Sequence, residues 1–95
     1  MRIISQDGAI DIPYDYFSLS VASRKYGDVE VAYIYCHNLS SPNGTKLAEY
    51  STKAKAIKAI EMLREAWINE AVEFEDGIYH RNIVFQFPQD DEIEV

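Results

Sequence analysis

The sequence predicts an α+β domain in which an antiparallel β-sheet of about five to six strands carries one long helix on one face, in the order β-β-β-β-β-α-β. Three observations predict it. Residues 16–36 alternate apolar and polar side chains with period two, residues 52–72 bring apolar residues back at helical spacing, and Asp-Gly and Gly-Asp dipeptides punctuate the first third of the chain. With 95 residues, 47% hydrophobic and 26% charged, the chain has material for a single domain, residues 1–95, whose last seven positions, 89–95, form a short acidic tail. Twelve aromatic residues give it ample surface to bury, which argues against disorder.

Arg2-Ile3-Ile4-Ser5 and Ala9-Ile10-Asp11-Ile12 read as two short strands about an Asp7-Gly8 turn, and Pro13 ends the hairpin. From Tyr16 onward, Phe17, Leu19 and Val21 alternate with Ser18 and Ser20, so a third strand buries an apolar row and exposes hydroxyls. Arg24-Lys25-Tyr26-Gly27-Asp28 supplies a turn. The run Val29-Glu30-Val31-Ala32-Tyr33-Ile34-Tyr35-Cys36 is rich in β-branched and aromatic residues and is the clearest strand. Turn formers crowd residues 37–44, predicting a long hairpin loop before an extended segment over 45–50. Ser51 or Thr52 caps a helix over about 52–72, with Ile57, Ile60, Leu63, Trp67 and Ala71 on its apolar side. A final strand over 78–87 stops at Pro88. One helix cannot cover every aromatic on such a sheet, so its second face is polar or receives a ligand or another protomer.

The net charge of −7 divides unevenly: −2 over residues 1–45, +3 over 46–64 and −8 over 65–95. One basic patch on an acidic body suits a small anionic ligand better than duplex nucleic acid. No apolar stretch approaches the length a bilayer requires, and no signal-peptide pattern opens the chain, so the expected location is the cytoplasm. The single cysteine, Cys36, agrees with a reducing compartment. Its neighbour His37 points to the opposite face of a strand, which disfavours a thiol–imidazole pair. Cys36, His37 and His80 lack metal-ligand spacing, and the four glycines are too scattered for a phosphate loop. The chain is therefore expected to be no enzyme and to need no cofactor.

Two features point to anion or nucleotide binding. Lys53, Lys55 and Lys58 place cations in the first turns of the helix, against the macrodipole, where lysines and free N–H groups would together attract an anion. A solvated charged face is the alternative. Arg81 alternates along the last strand with Tyr79, Ile83, Phe85 and Phe87, and Asn82 adjoins it. An arginine among aromatics offers a phosphate fork beside a stacking surface, or else it only snorkels from a strand end.

Three stretches carry a resemblance. Met1-Arg2-Ile3-Ile4-Ser5-Gln6-Asp7-Gly8 with Ile12-Pro13-Tyr14, the run from Tyr50-Ser51-Thr52-Lys53 through Met62-Leu63-Arg64, and Phe85-Gln86-Phe87-Pro88 with its acidic tail resemble small proteins encoded by phages and prophages of Gram-positive bacteria. They are similar in this to the phage anti-Thoeris sponge proteins, which bind a cyclic ADP-ribose-type signal and sequester it uncleaved. The resemblance implies a β-rich domain with a helix, a dimer or higher homo-oligomer, acting in an infected or lysogenic bacterial host. It implies Arg81 and Asn82 as first ligand-binding candidates and Arg24 as the next, joined by Tyr79, Phe85 and Lys53. A short helix-to-strand connection, about residues 73–77, departs from longer members of that group and leaves no room for a ligand-closing segment. The ligand class expected is a cyclic ADP-ribose or a cyclic oligonucleotide. Two rival expectations are an acidic inhibitor that binds a host defence enzyme by mimicking nucleic acid, and a structural or accessory phage protein.

Overall fold

In a computed structural model that describes residues 1–38, 41–69, 71–74, 77–80 and 84–95, the chain is an α+β fold with five strands before its one long helix. β1 (Arg2–Ile4) and β2 (Asp11–Pro13) form the first hairpin, and Gly8 takes the positive φ of its turn, +79°. A 3-10 turn, Tyr14–Tyr16, leads into a three-stranded antiparallel meander of β3 (Ser18–Tyr26), β4 (Val29–Asn38) and β5 (Ser41–Tyr50). α1 (Lys53–Asn69) follows, then β6 (Ala71–Phe74), β7 (Gly77–His80) and β8 (Val84–Gln86).

The strands do not lie in one sheet. β8 returns to pair parallel with β1, Phe85 opposite Ile3, giving a second three-stranded sheet in the order β2-β1-β8. The two sheets join where Gln6 inserts beside β5. Its backbone N–H donates to Leu47 O at 2.8 Å, while its carboxamide accepts from Glu49 N and donates to Glu49 O, each at 3.0 Å. A side-chain amide thus substitutes for a strand residue and satisfies backbone groups that would otherwise be orphaned.

Several boundaries differ from the sequence reading, each for a physical reason. β3 extends through Arg24 and Lys25 to Tyr26, because the two-residue turn at Gly27, φ +64°, suffices to reverse the chain. Residues 37, 38 and 41–44, expected in a long loop, belong to strands: β4 and β5 pair out to Asn38 and Ser41, and an irregularity between Cys36 and Asn38 absorbs Pro42, Asn43 and Gly44. The helix stops at Asn69, a weak helix former, and Ala71 belongs to β6, opposite His80. The expected strand over 78–87 is two strands with different partners, β7 on β6 and β8 on β1. The connection from α1 to β8 is accordingly not short, since it holds the β6–β7 hairpin.

The core lies between α1 and the meander. Ala32, Ile34 and Cys36 of β4 point toward the helix with Ala48 and Tyr50 of β5. Ala56, Ala59 and Leu63 answer from α1, and the two alanines let the helix sit close on the sheet. Ile57, expected on the apolar side, is 43% exposed, because Ala56 and Ala59 take the buried positions with Leu63, and Ile60 packs at their edge. Trp67 covers the end of the helix by stacking on Tyr14, centroids 4.4 Å apart at 19°.

The acidic segment is docked rather than trailing. Phe87 and Ile93 are buried in the core, Tyr50 Oη donates to Pro88 O at 2.8 Å, and a capping box closes the 3-10 turn Asp90–Glu92. Burial pushes the Tyr50 phenol well above its ordinary pKa, so it remains a donor at every physiological pH. Among the described residues, no helix is long and apolar enough to cross a membrane.

Candidate functional site

The helix N-terminus, expected to attract an anion, is already filled by the chain's own groups. The Lys53 backbone N–H donates to Glu30 Oε1 at 2.9 Å, and Thr52 Oγ1 caps the helix by accepting from Lys55 N at 3.1 Å. Asp90 Oδ1 accepts from Ser51 N at 2.7 Å, and Lys55 Nζ sits 3.0 Å from Asp90 O and 3.3 Å from Asp90 Oδ2. Lys58 pairs with Glu61 at 3.9 Å. The backbone N–H of Lys53, expected to be free for an anion, is thus taken by Glu30, while Lys55 and Lys58 pair within the chain.

The Ser51 backbone N–H, followed by the Ser51 hydroxyl and Lys55, holds the Asp90 carboxyl below its ordinary pKa. Hydrogen bonds from the Ser5 hydroxyl and then Ala9 N–H do the same for Asp7. A folded pKa below the unfolded value of about 3.9 contributes stability above that pH and loses it as pH falls through the folded value. Urea midpoints measured downward from pH 5 are expected to fall for the wild type, and to fall less steeply for Asp90→Asn.

The other candidates separate. Arg81 and Asn82 lie outside the described residues. Tyr79 is in β7, opposite Val72, whereas Phe85 is in β8, opposite Ile3, so the two do not form one row on one strand. Phe85 packs against the core and meets Phe87 edge to face, centroids 5.5 Å apart, which makes it a packing residue.

Arg24 is different. Its position inside β3, opposite Val31, puts it on the face of the meander that looks away from α1. Pleating assigns that face Ser18, Ser20, Ala22, Arg24 and Tyr26 from β3, with Val31, Tyr33, Tyr35 and His37 from β4. Ser18, Ser20, Arg24 and Tyr26 are exposed on it, while Tyr33, Tyr35 and His37 are half-buried. Tyr33 and Tyr35 are 6.0 Å apart and tilted by 45°, and Tyr35 and His37 are 6.4 Å apart at 44°. Ser20 Oγ and His37 Nε2 share a 2.7 Å hydrogen bond that orients the imidazole. Lys46 of β5 holds Nζ 5.5 Å from the Tyr33 ring centroid, and Glu49 lies 3.8 Å from the same ammonium.

Arg24 is held above its ordinary pKa by a side-chain hydrogen bond with Tyr26, then by the electrostatic influence of Tyr26, Tyr35 and Tyr33. The open face therefore carries an aromatic row on its central strand with one cation on each outer strand. Sequence reasoning missed Tyr33, Tyr35 and Lys46, although the signal was present: Tyr33 and Tyr35 alternate with the small apolar row Ala32, Ile34 and Cys36. Cys36, on the buried side, has its thiol pushed up by burial and faces away from His37.

A cavity of about 390 Å³ lies between α1 and the 3-10 turn, with Phe17, Leu19 and Leu63 as its apolar lining and Asp15 and Arg64 at its charged points. With one carboxylate against one guanidinium it offers no net attraction to a phosphate. No family model, no curated protein and no solved structure matches this chain.

Proposed function

We propose that this protein is a non-enzymatic nucleotide-binding protein, a phage-encoded anti-defence sponge that holds and sequesters a cyclic nucleotide signal on the open face of β3-β4-β5. The observation that carries the reading is the placement of Arg24 and Lys46 on the two outer strands, flanking the Tyr33 and Tyr35 rings of the central one. Bases supply π-faces for the tyrosines, and phosphates supply charge for a guanidinium that never deprotonates. The resemblance of the first hairpin, helix start and Phe85-Gln86-Phe87-Pro88 segments to phage proteins supports the biological setting. Assembly into a dimer or higher oligomer in the host cytoplasm belongs to the same reading, and sedimentation reads it out.

Calorimetric titration with cyclic ADP-ribose isomers and cyclic oligonucleotides tests the proposal, followed by recovery of the ligand. Binding with intact ligand is expected. Arg24→Ala removes a charge-assisted contact of about 1.5–3 kcal/mol and should weaken affinity by about ten- to a hundredfold. Arg81→Ala, measured in parallel, separates the two arginines. Unchanged affinity in Arg24→Ala would remove the open face from the proposal, and binding to none of the panel would shift weight to a protein-binding inhibitor.

A further inference from the structure

We infer that the Tyr33-Tyr35-His37 row is a set of consecutive base subsites for a short linear single strand of nucleic acid, a ligand class beyond the cyclic signal. The inference rests on the preceding reading only in taking the open face as a surface for bases and phosphates.

Rings projecting from alternate residues of one extended strand stand in line, 6.0 Å and 6.4 Å apart. Stacked bases in a duplex strand are spaced at about 3.4 Å, so this row matches a strand whose bases are unstacked and splayed. Beside the row, β3 contributes only Ser18, Ser20 and Ala22 over the same length, so the flank of the rings toward β3 is low. A base can reach the ring faces from that side. The outer cations lie on either side of the row, both toward its Tyr33 end: Lys46 pairs opposite Tyr35 on β5 and carries its ammonium over the Tyr33 ring, and Arg24 on β3 sits one pleat beyond Tyr33.

Such a surface tolerates any base, because every base has a π-face and no rigid donor–acceptor array selects among them. It rejects a duplex, whose base faces are covered and whose extended charge meets the acidic remainder of the molecule. Glu49, on the same face, limits the strand to a few phosphates by occupying part of the field of Lys46.

The test is a titration of the full chain with linear triadenylate, AMP, cyclic diadenylate and a blunt duplex. Triadenylate is expected to bind about tenfold or more tighter than AMP, and the duplex not to bind. With two cations engaged, log affinity should fall with log salt at a slope of about −1.4, and Lys46→Gln should halve that slope. Tyr35→Leu keeps apolar bulk at a half-buried position but removes the ring. It should weaken triadenylate about tenfold while leaving AMP, which can use Tyr33, far less affected. Triadenylate no tighter than AMP, or cyclic diadenylate tighter than triadenylate, would overturn the linear-strand inference and leave the sponge reading standing. Failure of all nucleotides, the cyclic ones included, would overturn both.

Discussion

Ile93→Asp is expected to lower the stability of the protein by about 3–5 kcal/mol, from lost burial of an isoleucine together with a carboxylate forced into an apolar site. Ile93 is 4% exposed and sits in the core with Phe87 and Ile3. A chain of 95 residues has a total stability of about 5–14 kcal/mol, so the loss is a large share of it. At about 4–8 °C per kcal/mol, the melting temperature should drop by about 12 °C or more. Ile93→Val, which keeps the site apolar, should cost only about 1 kcal/mol. A melting curve for Ile93→Asp that overlays the wild type would mean that the acidic segment does not dock.

Gly44→Ala carries the second large effect, and it reaches the open face. Gly44 has φ +86°, and a Cβ there would lie 2.6 Å from His37 Cε1, 2.8 Å from Nδ1 and 3.2 Å from Cys36 O. The left-handed backbone costs an alanine about 1–2 kcal/mol by itself. The imidazole must also turn, which gives up its 2.7 Å bond to Ser20. A total of about 2–4 kcal/mol is expected, adding overpacking to backbone strain, with a shift of the His37 ring resonances. Gly27→Ala is the matched control: φ is +64° and nothing lies within 4 Å of its Cβ. It should cost the backbone share alone, about 1–2 kcal/mol. Equal losses in the two variants would show that His37 is not packed against Gly44.

These residues also mark what was legible in the sequence. The period-two run before Cys36 and the capped, helically spaced run after Ser51 gave the element types, because each pattern is local. Sheet membership was not local. Nothing between Ile3 and Phe85 announces that the two pair in parallel, and the continuous apolar reading of 78–87 hid a change of partner. Arg24 reads as a turn residue because lysine, arginine and glycine cluster there. Only the two-residue turn at Gly27 shows that it is a strand residue with a defined face. Ile93 lies among Asp90, Asp91, Glu92 and Glu94, a composition that reads as tail although one apolar side chain and Pro88 anchor it. The carboxylates that meet the helix start, Glu30 at the Lys53 N–H and Asp90 at the Lys55 ammonium, were not legible because they come from 23 and 35 residues away along the chain.

The most direct test of the central claim is a two-dimensional NMR titration of the labelled protein with a cyclic oligonucleotide, following tyrosine ring and backbone amide signals together. Progressive shifts are expected at the Tyr33 and Tyr35 rings and at the Arg24 and Lys46 amides, with Tyr50 and Tyr14 unchanged. Shifts confined to Tyr14, Trp67 and Arg64, with the open face silent, would contradict it and place the ligand in the cavity beneath the helix.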